Sequence, residues 1–187
     1  MRFFNNKLSR INFLILIGIL TYLFTNMSDG NSYEKGISRA SQSVVNVSSK
    51  LKIESKLFNK KNSQDTVGSG IIISNDGYII TNLHVIKGNR SIDVELDDGQ
   101  VYAANLIGFD NRSDLAVIKI TPLSPLKPIQ VSNSSSVEIG DQVIAIGNAF
   151  GLGKTFTSGI ISATGRDYGN PYLDLIQTDA AINPGHS

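Results

Sequence analysis

Two turn tripeptides set the rhythm of this chain and limit what it can fold into. Asn75-Asp76-Gly77 and Asp97-Asp98-Gly99 each stand between short runs rich in β-branched residues. An Asp-Gly turn between such runs is the strongest short-range hairpin signal. The first turn joins residues 70–74 to 78–81, and the second joins the alternating run 92–96 to 101–108. Residues 44–47 precede this set and 115–120 follow it, giving about six strands in ~80 residues, the number a small closed barrel needs. Residues 121–128 (T-P-L-S-P-L-K-P) hold three of the five prolines and cannot join a sheet interior, so they read as a linker. A second series follows at 143–146, 156–163 and 175–178. Seventeen glycines against 7% aromatic residues suit such a turn-rich all-β chain better than a helical bundle.

The N-terminus has a different character. Arg2, Lys7 and Arg10 precede an apolar run from Ile11 to Phe24, after which the chain turns polar. A basic flank, an apolar run and a polar exit make a membrane-targeting segment, and the positive-inside rule puts everything after Phe24 across the membrane. The run is short for a span. Two readings stay open: a retained single-pass anchor, or a signal peptide cleaved near Ser28-Asp29-Gly30. Residues 31–39 are polar without a clear period and read as a tether. The expected organisation is a membrane anchor or signal segment over 1–30, a tether over 31–42 and a first β-barrel over 43–120. The linker 121–128 then leads to a partial second barrel over 129–187.

Charge and composition exclude several function classes. Lys plus Arg number 17 against 16 Asp plus Glu, so no basic field exists to recruit nucleic acid. Cysteine is absent, which removes disulfides, a thiol nucleophile and Cys-rich zinc sites. With only His84 and His186, a multi-histidine metal site is not expected. Residues 147–155 (G-N-A-F-G-L-G-K-T) imitate a phosphate-binding loop. That motif needs four residues between its outer glycines, and Gly147 and Gly153 are separated by five.

The chemistry-bearing residues are His84 in T-N-L-H-V-I, Asp114 in R-S-D-L-A-V-I-K-I and Ser187 in P-G-H-S. A serine hydroxyl at neutral pH needs a base within hydrogen-bond reach. His84 is the base that fits, since imidazole titrates near neutrality. An imidazole base needs its far nitrogen held by a carboxylate. Asp114, at the start of an apolar strand, suits that task, and Asp110 is its nearest rival. The order His, Asp, Ser is the one used by chymotrypsin-like proteases. Gly185 permits a backbone that turns successive N–H groups inward, so the amides of Gly185 and Ser187 are the expected oxyanion hole.

Six segments in order, V-G-S-G-I-I-I (67–73), G-Y-I-I-T-N-L-H-V-I (77–86), R-S-D-L-A-V-I-K-I (112–120), G-D-Q-V-I-A-I-G-N (140–148), T-S-G-I-I-S-A (157–163) and Q-T-D-A-A-I-N-P-G-H-S (177–187), resemble the HtrA (Deg) family of trypsin-like serine proteases. The N-terminal apolar segment and short first loop are similar to its membrane-anchored DegS branch. The resemblance selects Asp114 over Asp110. It implies a chymotrypsin-like double β-barrel preceded by a membrane helix, protein substrates in envelope quality control or stress response, a homotrimer, and neither metal nor organic cofactor. It implies a location on the periplasmic side of the inner membrane, or in the soluble periplasm after signal cleavage.

Family members usually carry Asn where His186 stands, and they continue past the serine with the remaining strands and a PDZ domain. The expectation is therefore a C-terminally truncated form with an incomplete second barrel and little proteolysis as written. The alternative is an inactive remnant, or an anchored β domain that only binds or co-assembles.

Overall fold

The computed structural model describes residues 30–50, 65–88, 91–147, 153–166 and 174–182. Its first hairpin shows how the turn residues act. Gly77 sits at φ 104°, and a Cβ there would lie 2.5 Å from the Ile120 carbonyl oxygen. The close approach is used, because the Ile120 amide donates to the Gly77 carbonyl at 3.0 Å. Only glycine combines that φ with that proximity.

The first element among the described residues is helix α1 (Gly30–Gln42), followed by strands β1 (Val44–Lys50), β2 (Asp65–Ile72) and β3 (Tyr78–Asn82). A single helical turn, α2 (Leu83–Ile86), then leads into β4 (Ser91–Glu95), β5 (Val101–Asp110) and β6 (Leu115–Lys119). The six strands close into an antiparallel barrel in the order β1-β2-β3-β6-β5-β4. Closure leaves no strand edge unpaired in this module. Inward residues alternate along each strand and meet in one core that includes Val45, Val47, Ile79, Val94, Ile118 and Ile120. Full burial of each such side chain stabilises the barrel by about 1.5–3 kcal/mol.

β5 and β6 shift register between Leu106 and Gly108, so Ile107 is a bulge. A bulge bends its strand and re-aims the residues on its far side. Beyond it Phe109 faces Ala116 and Asp110 faces Leu115, which carries the 110–114 turn to the barrel rim.

The linker is pinned to the barrel. The Leu126 amide donates to the Asn75 carbonyl at 2.8 Å, and the Ile129 amide to the Ile72 carbonyl at 2.9 Å. After it come β7 (Gln142–Gly147), β8 (Thr155–Arg166) and β9 (Leu175–Thr178), an antiparallel sheet in that order. Among the described residues this second module is an open three-stranded sheet, not a barrel. Its Ile144 and Ile146 pack with Ala40 of α1, Val44 of β1, and the half-buried Ile37 and Ile129.

Three sequence expectations differ from this picture. Residues 31–42, read as a tether, lie in α1. The helix forms because Ile37 and Ala40, three residues apart, share a face that β7 and Val44 cover. β2 begins at Asp65, five residues before the expected run. Its V-G-S-G stretch extends because β1 pairs with it as far as Lys50↔Asp65. β5 likewise runs on to Asp110 through its bulge. The apolar segment 11–24 and most of the charged loop 59–65 lie outside the described residues, as do residues 148–152 of the phosphate-loop imitation. No helix among the described residues is long and apolar enough to cross a membrane.

Candidate active site

α2 is one turn with three buried anchors and one partly exposed side chain. Leu83, Val85 and Ile86 are buried, while His84 is 45% exposed. The buried Ser49 hydroxyl donates to the Val85 carbonyl from β1, and the Lys87 amide closes the turn on the Leu83 carbonyl at 2.8 Å. A helix this short has no stability of its own. Its position is fixed by the barrel core beneath it.

The β5–β6 turn faces it. Asp110 folds over this turn, its Oδ1 accepting from the Arg112 amide at 3.0 Å and its Oδ2 from the Ser113 hydroxyl at 3.1 Å. The Arg112 N–H, the largest influence, holds the Asp110 carboxyl below its ordinary value against the opposing effect of desolvation, and the Ser113 hydroxyl and Arg112 charge add smaller contributions in the same downward direction. Asp110 is thus committed to its own turn. The turn delivers Asp114 at φ 52°, the one positive φ at a non-glycine among the described residues. Asp tolerates this region better than most side chains.

Asp114 uses all three of its oxygens on the α2 entrance. Its Oδ2 meets His84 Nδ1 at 2.7 Å, and its Oδ1 accepts the His84 amide at 2.8 Å. Its carbonyl accepts the Leu83 amide at 2.8 Å and the Asn82 side-chain amide at 3.3 Å. A carboxylate can only accept, so the neutral imidazole carries its proton on Nδ1 and keeps its lone pair on Nε2. The structure thus brings together His84 and Asp114. Ser187, Gly185 and His186 lie outside the described residues.

The approach to Ser187 is described as far as Ile182. There the Ile160 amide donates to Asp179 Oδ1 at 2.7 Å, and the Thr157 hydroxyl to the Ala181 carbonyl at 2.7 Å. Ala180 is buried, its amide bonded to the Thr178 hydroxyl at 3.1 Å. Asn82, Ser49, Thr157 and Asp179 are supports the sequence reading did not pick out. Only Asn82 carried a local signal, as a polar residue two before the histidine.

A cavity of about 640 Å³ opens beside α2, lined in part by Leu83, Ile86, Ile92, Leu106 and Phe109. No group of three or more His, Asp or Glu side chains among the described residues could hold a metal ion.

The profile of the trypsin-like peptidase domain matches residues 68–187. The chain is 46% identical over 158 residues to the serine endoprotease DegS of Salmonella typhimurium, covering 83% of this chain and 44% of that protein. The chain belongs to the HtrA/Deg family of trypsin-like serine proteases. It is also 52% identical over 122 residues to a probable periplasmic DegP-like serine endoprotease of Brucella suis, covering 64% of this chain and 24% of that one. Among solved structures, the HtrA-type protease AlgW with a tripeptide superposes with a TM-score of 0.73 at 42% identity, covering 82% of this chain and 48% of that one. The serine endoprotease of Yersinia pestis gives a TM-score of 0.67 at 42% identity, covering 83% and 51%. The chain thus spans about half the length, or less, of the HtrA relatives named here.

Proposed function

We propose that this chain carries the catalytic residues of a serine endopeptidase acting on cell-envelope proteins. The observation behind the proposal is the double contact of one carboxylate with His84, through the ring nitrogen at 2.7 Å and through the backbone amide at 2.8 Å. That contact fixes both the tautomer and the orientation of the imidazole. Such a pair has the features of a base prepared for a hydroxyl nucleophile.

In the proposed reaction the Ser187 hydroxyl attacks the scissile carbonyl while His84 Nε2 takes its proton. The carbonyl oxygen becomes an oxyanion received by the amides of Gly185 and Ser187. The tetrahedral intermediate collapses, the C–N bond breaks, and the imidazolium gives its proton to the leaving amine. Water then repeats the sequence on the acyl-enzyme, releasing the acid and restoring Ser187. Asp114 stays ionised and stabilises the imidazolium throughout. No step requires a metal or an organic cofactor.

The proposed setting is the periplasmic side of the inner membrane, reached through the basic-then-apolar N-terminal segment. The relative from Brucella suis is named periplasmic, which agrees with it. A homotrimer is the assembly proposed from the family likeness. The test is covalent labelling by a fluorophosphonate in the intact gene product. Labelling should disappear in Ser187→Ala and fall steeply in His84→Ala. Labelling that survives Ser187→Ala, or is absent from the intact protein, defeats the assignment. For location, a reporter fused after Asn31 should be active only outside the cytoplasm.

A further inference from the structure

Asn82 occupies the N-cap of α2 but makes no cap hydrogen bond. Asn is among the best N-cap residues because its side-chain oxygen ordinarily accepts an N–H of the first turn. Here the residue is only 2% exposed, and its side-chain amide Nδ2 instead donates to the Asp114 carbonyl at 3.3 Å. The neighbouring contacts explain what this achieves. Asn82↔Leu115 is the last rung of the β3–β6 ladder, and Asp114 is the residue just outside it. The ladder bonds stop where the left-handed residue begins. Beyond them the Leu83 backbone amide and the Asn82 side-chain amide each supply one more cross-strand bond. Together the two, with the Leu83 amide at 2.8 Å on the same oxygen, occupy both lone pairs of the Asp114 carbonyl. On the other side, the buried Thr81 hydroxyl donates to the Ser69 carbonyl at 2.7 Å, holding β3 one residue before Asn82.

We infer that Asn82 is a positioning residue, which holds Asp114 in its left-handed conformation so that the carboxylate meets the His84 imidazole. Fixing the Asp114 carbonyl fixes its peptide plane, and with it the direction of Cα–Cβ and of the carboxylate. A non-glycine residue at φ 52° lies in a sparsely populated region and stays there only when its surroundings hold it. Among the described residues Asn82 bonds to the Asp114 carbonyl and not to the His84 ring, so its effect on the imidazole passes through Asp114. The inference deepens the proposed protease reading and rests on it for function, but its geometry can be tested without any turnover.

The experiment reads the His84 Nδ1 proton by NMR in this chain, assigned by its absence from His84→Gln. A proton shared with a carboxylate at short distance resonates far downfield and exchanges slowly with water. In Asn82→Ala its exchange should quicken by about tenfold or more, the factor equivalent to ~1.4 kcal/mol, while the amide spectrum of the barrel core is unchanged. Asn82→Ser separates the two roles. Serine caps helices as well as asparagine does but lacks the amide donor, so the proton should remain labile. An exchange rate in Asn82→Ser equal to wild type would show that Asn82 serves α2 alone and overturn the inference. Unchanged exchange in Asn82→Ala would do the same. Loss of the barrel spectrum in both variants would also count against it, as the mark of a structural residue. Failure of the fluorophosphonate test with the proton signature intact would strike the reaction and leave the positioning role standing.

Discussion

A Cβ built on Gly159 would lie 2.3 Å from the backbone nitrogen of Ala180. It would also meet Asp179 Oδ1 at 2.4 Å and the Ala180 Cα at 2.7 Å. Two of these three atoms are backbone, so movement of the Asp179 side chain alone would not relieve the clash. β8 and the segment leading to Ser187 are in contact at this point because residue 159 has no side chain.

Gly159→Ala should therefore push residues 179–181 off β8 and break the bond from the Ile160 amide to Asp179 Oδ1. Overpacking of this kind costs about 1–3 kcal/mol. The loss should show in urea unfolding, and in faster hydrogen exchange at Ile160 and Asp179 with the barrel amides unaffected. In the intact protease the displacement should also cost activity, about 100-fold for a shift of ~1 Å. Exchange at wild-type rates at those two amides would contradict the argument.

Lys154 joins three elements. Its ammonium, on a side chain 17% exposed, lies 2.5 Å from Asp97 in the β4–β5 turn, and it also donates to the Ser41 carbonyl at the end of α1. Lys154→Met should loosen the second sheet from the barrel. Because Asp97 is half exposed, a double-mutant cycle with Asp97→Ala should give a coupling of about 1 kcal/mol, the upper end for exposed pairs. The coupling should shrink in 1 M salt, where the screening length is ~3 Å. A coupling indistinguishable from zero at low salt would show that the contact does not join the modules.

Asp110 carries a pH dependence. Its carboxyl is held below the ordinary value, first by the Arg112 amide. A depressed folded-state pKa means the unfolded chain binds the proton more readily. The stabilisation is therefore present above the ordinary carboxylate value and lost as pH falls through the lower, folded one. Relative to Asp110→Ala, the wild-type turn should hold its advantage at neutral pH and lose it in acid. Amide exchange at Arg112 and Ser113, followed over that range in both proteins, measures this. An advantage that grows on acidification would reverse the sign and refute the assignment.

The legible and illegible parts of this fold differ in how far away their partners lie. The two hairpins could be read because Gly77 and Gly99 mark their own turns. His84 stood out as a polar group inside the apolar run L-H-V-I, whereas Asp114, at the start of its strand, was separated from Asp110 only by the family resemblance. α1 could not be read, since among its described residues the apolar packing face is Ile37 and Ala40, which acquires meaning from Ile144 and Ile146, far along the chain. The V-G-S-G start of β2 looks like a turn locally and becomes a strand only through pairing with β1. Asn82 was passed over for the same reason. Beside a helix start, an asparagine reads as a cap, and nothing local shows that its amide goes to a carbonyl of the next hairpin.

Asp114→Asn tests the heart of the site by changing one atom's role. The variant keeps an oxygen to accept the His84 amide and keeps the carbonyl that holds Leu83 and Asn82. What it loses is the second acceptor oxygen, 2.7 Å from His84 Nδ1. An amide NH₂ in that place can only donate, so Nδ1 must accept and the ring proton moves to Nε2. The nitrogen that should take the Ser187 proton is then already protonated. In the intact protease kcat should fall by about 10⁴-fold, with the melting temperature little changed because the backbone clamp remains. Asp114→Ala should lose activity similarly but also stability, since the His84 amide would lose its acceptor at a cost of about 1–3 kcal/mol. Activity within tenfold of wild type in Asp114→Asn would remove this carboxylate from the reaction, whatever its distance from the imidazole.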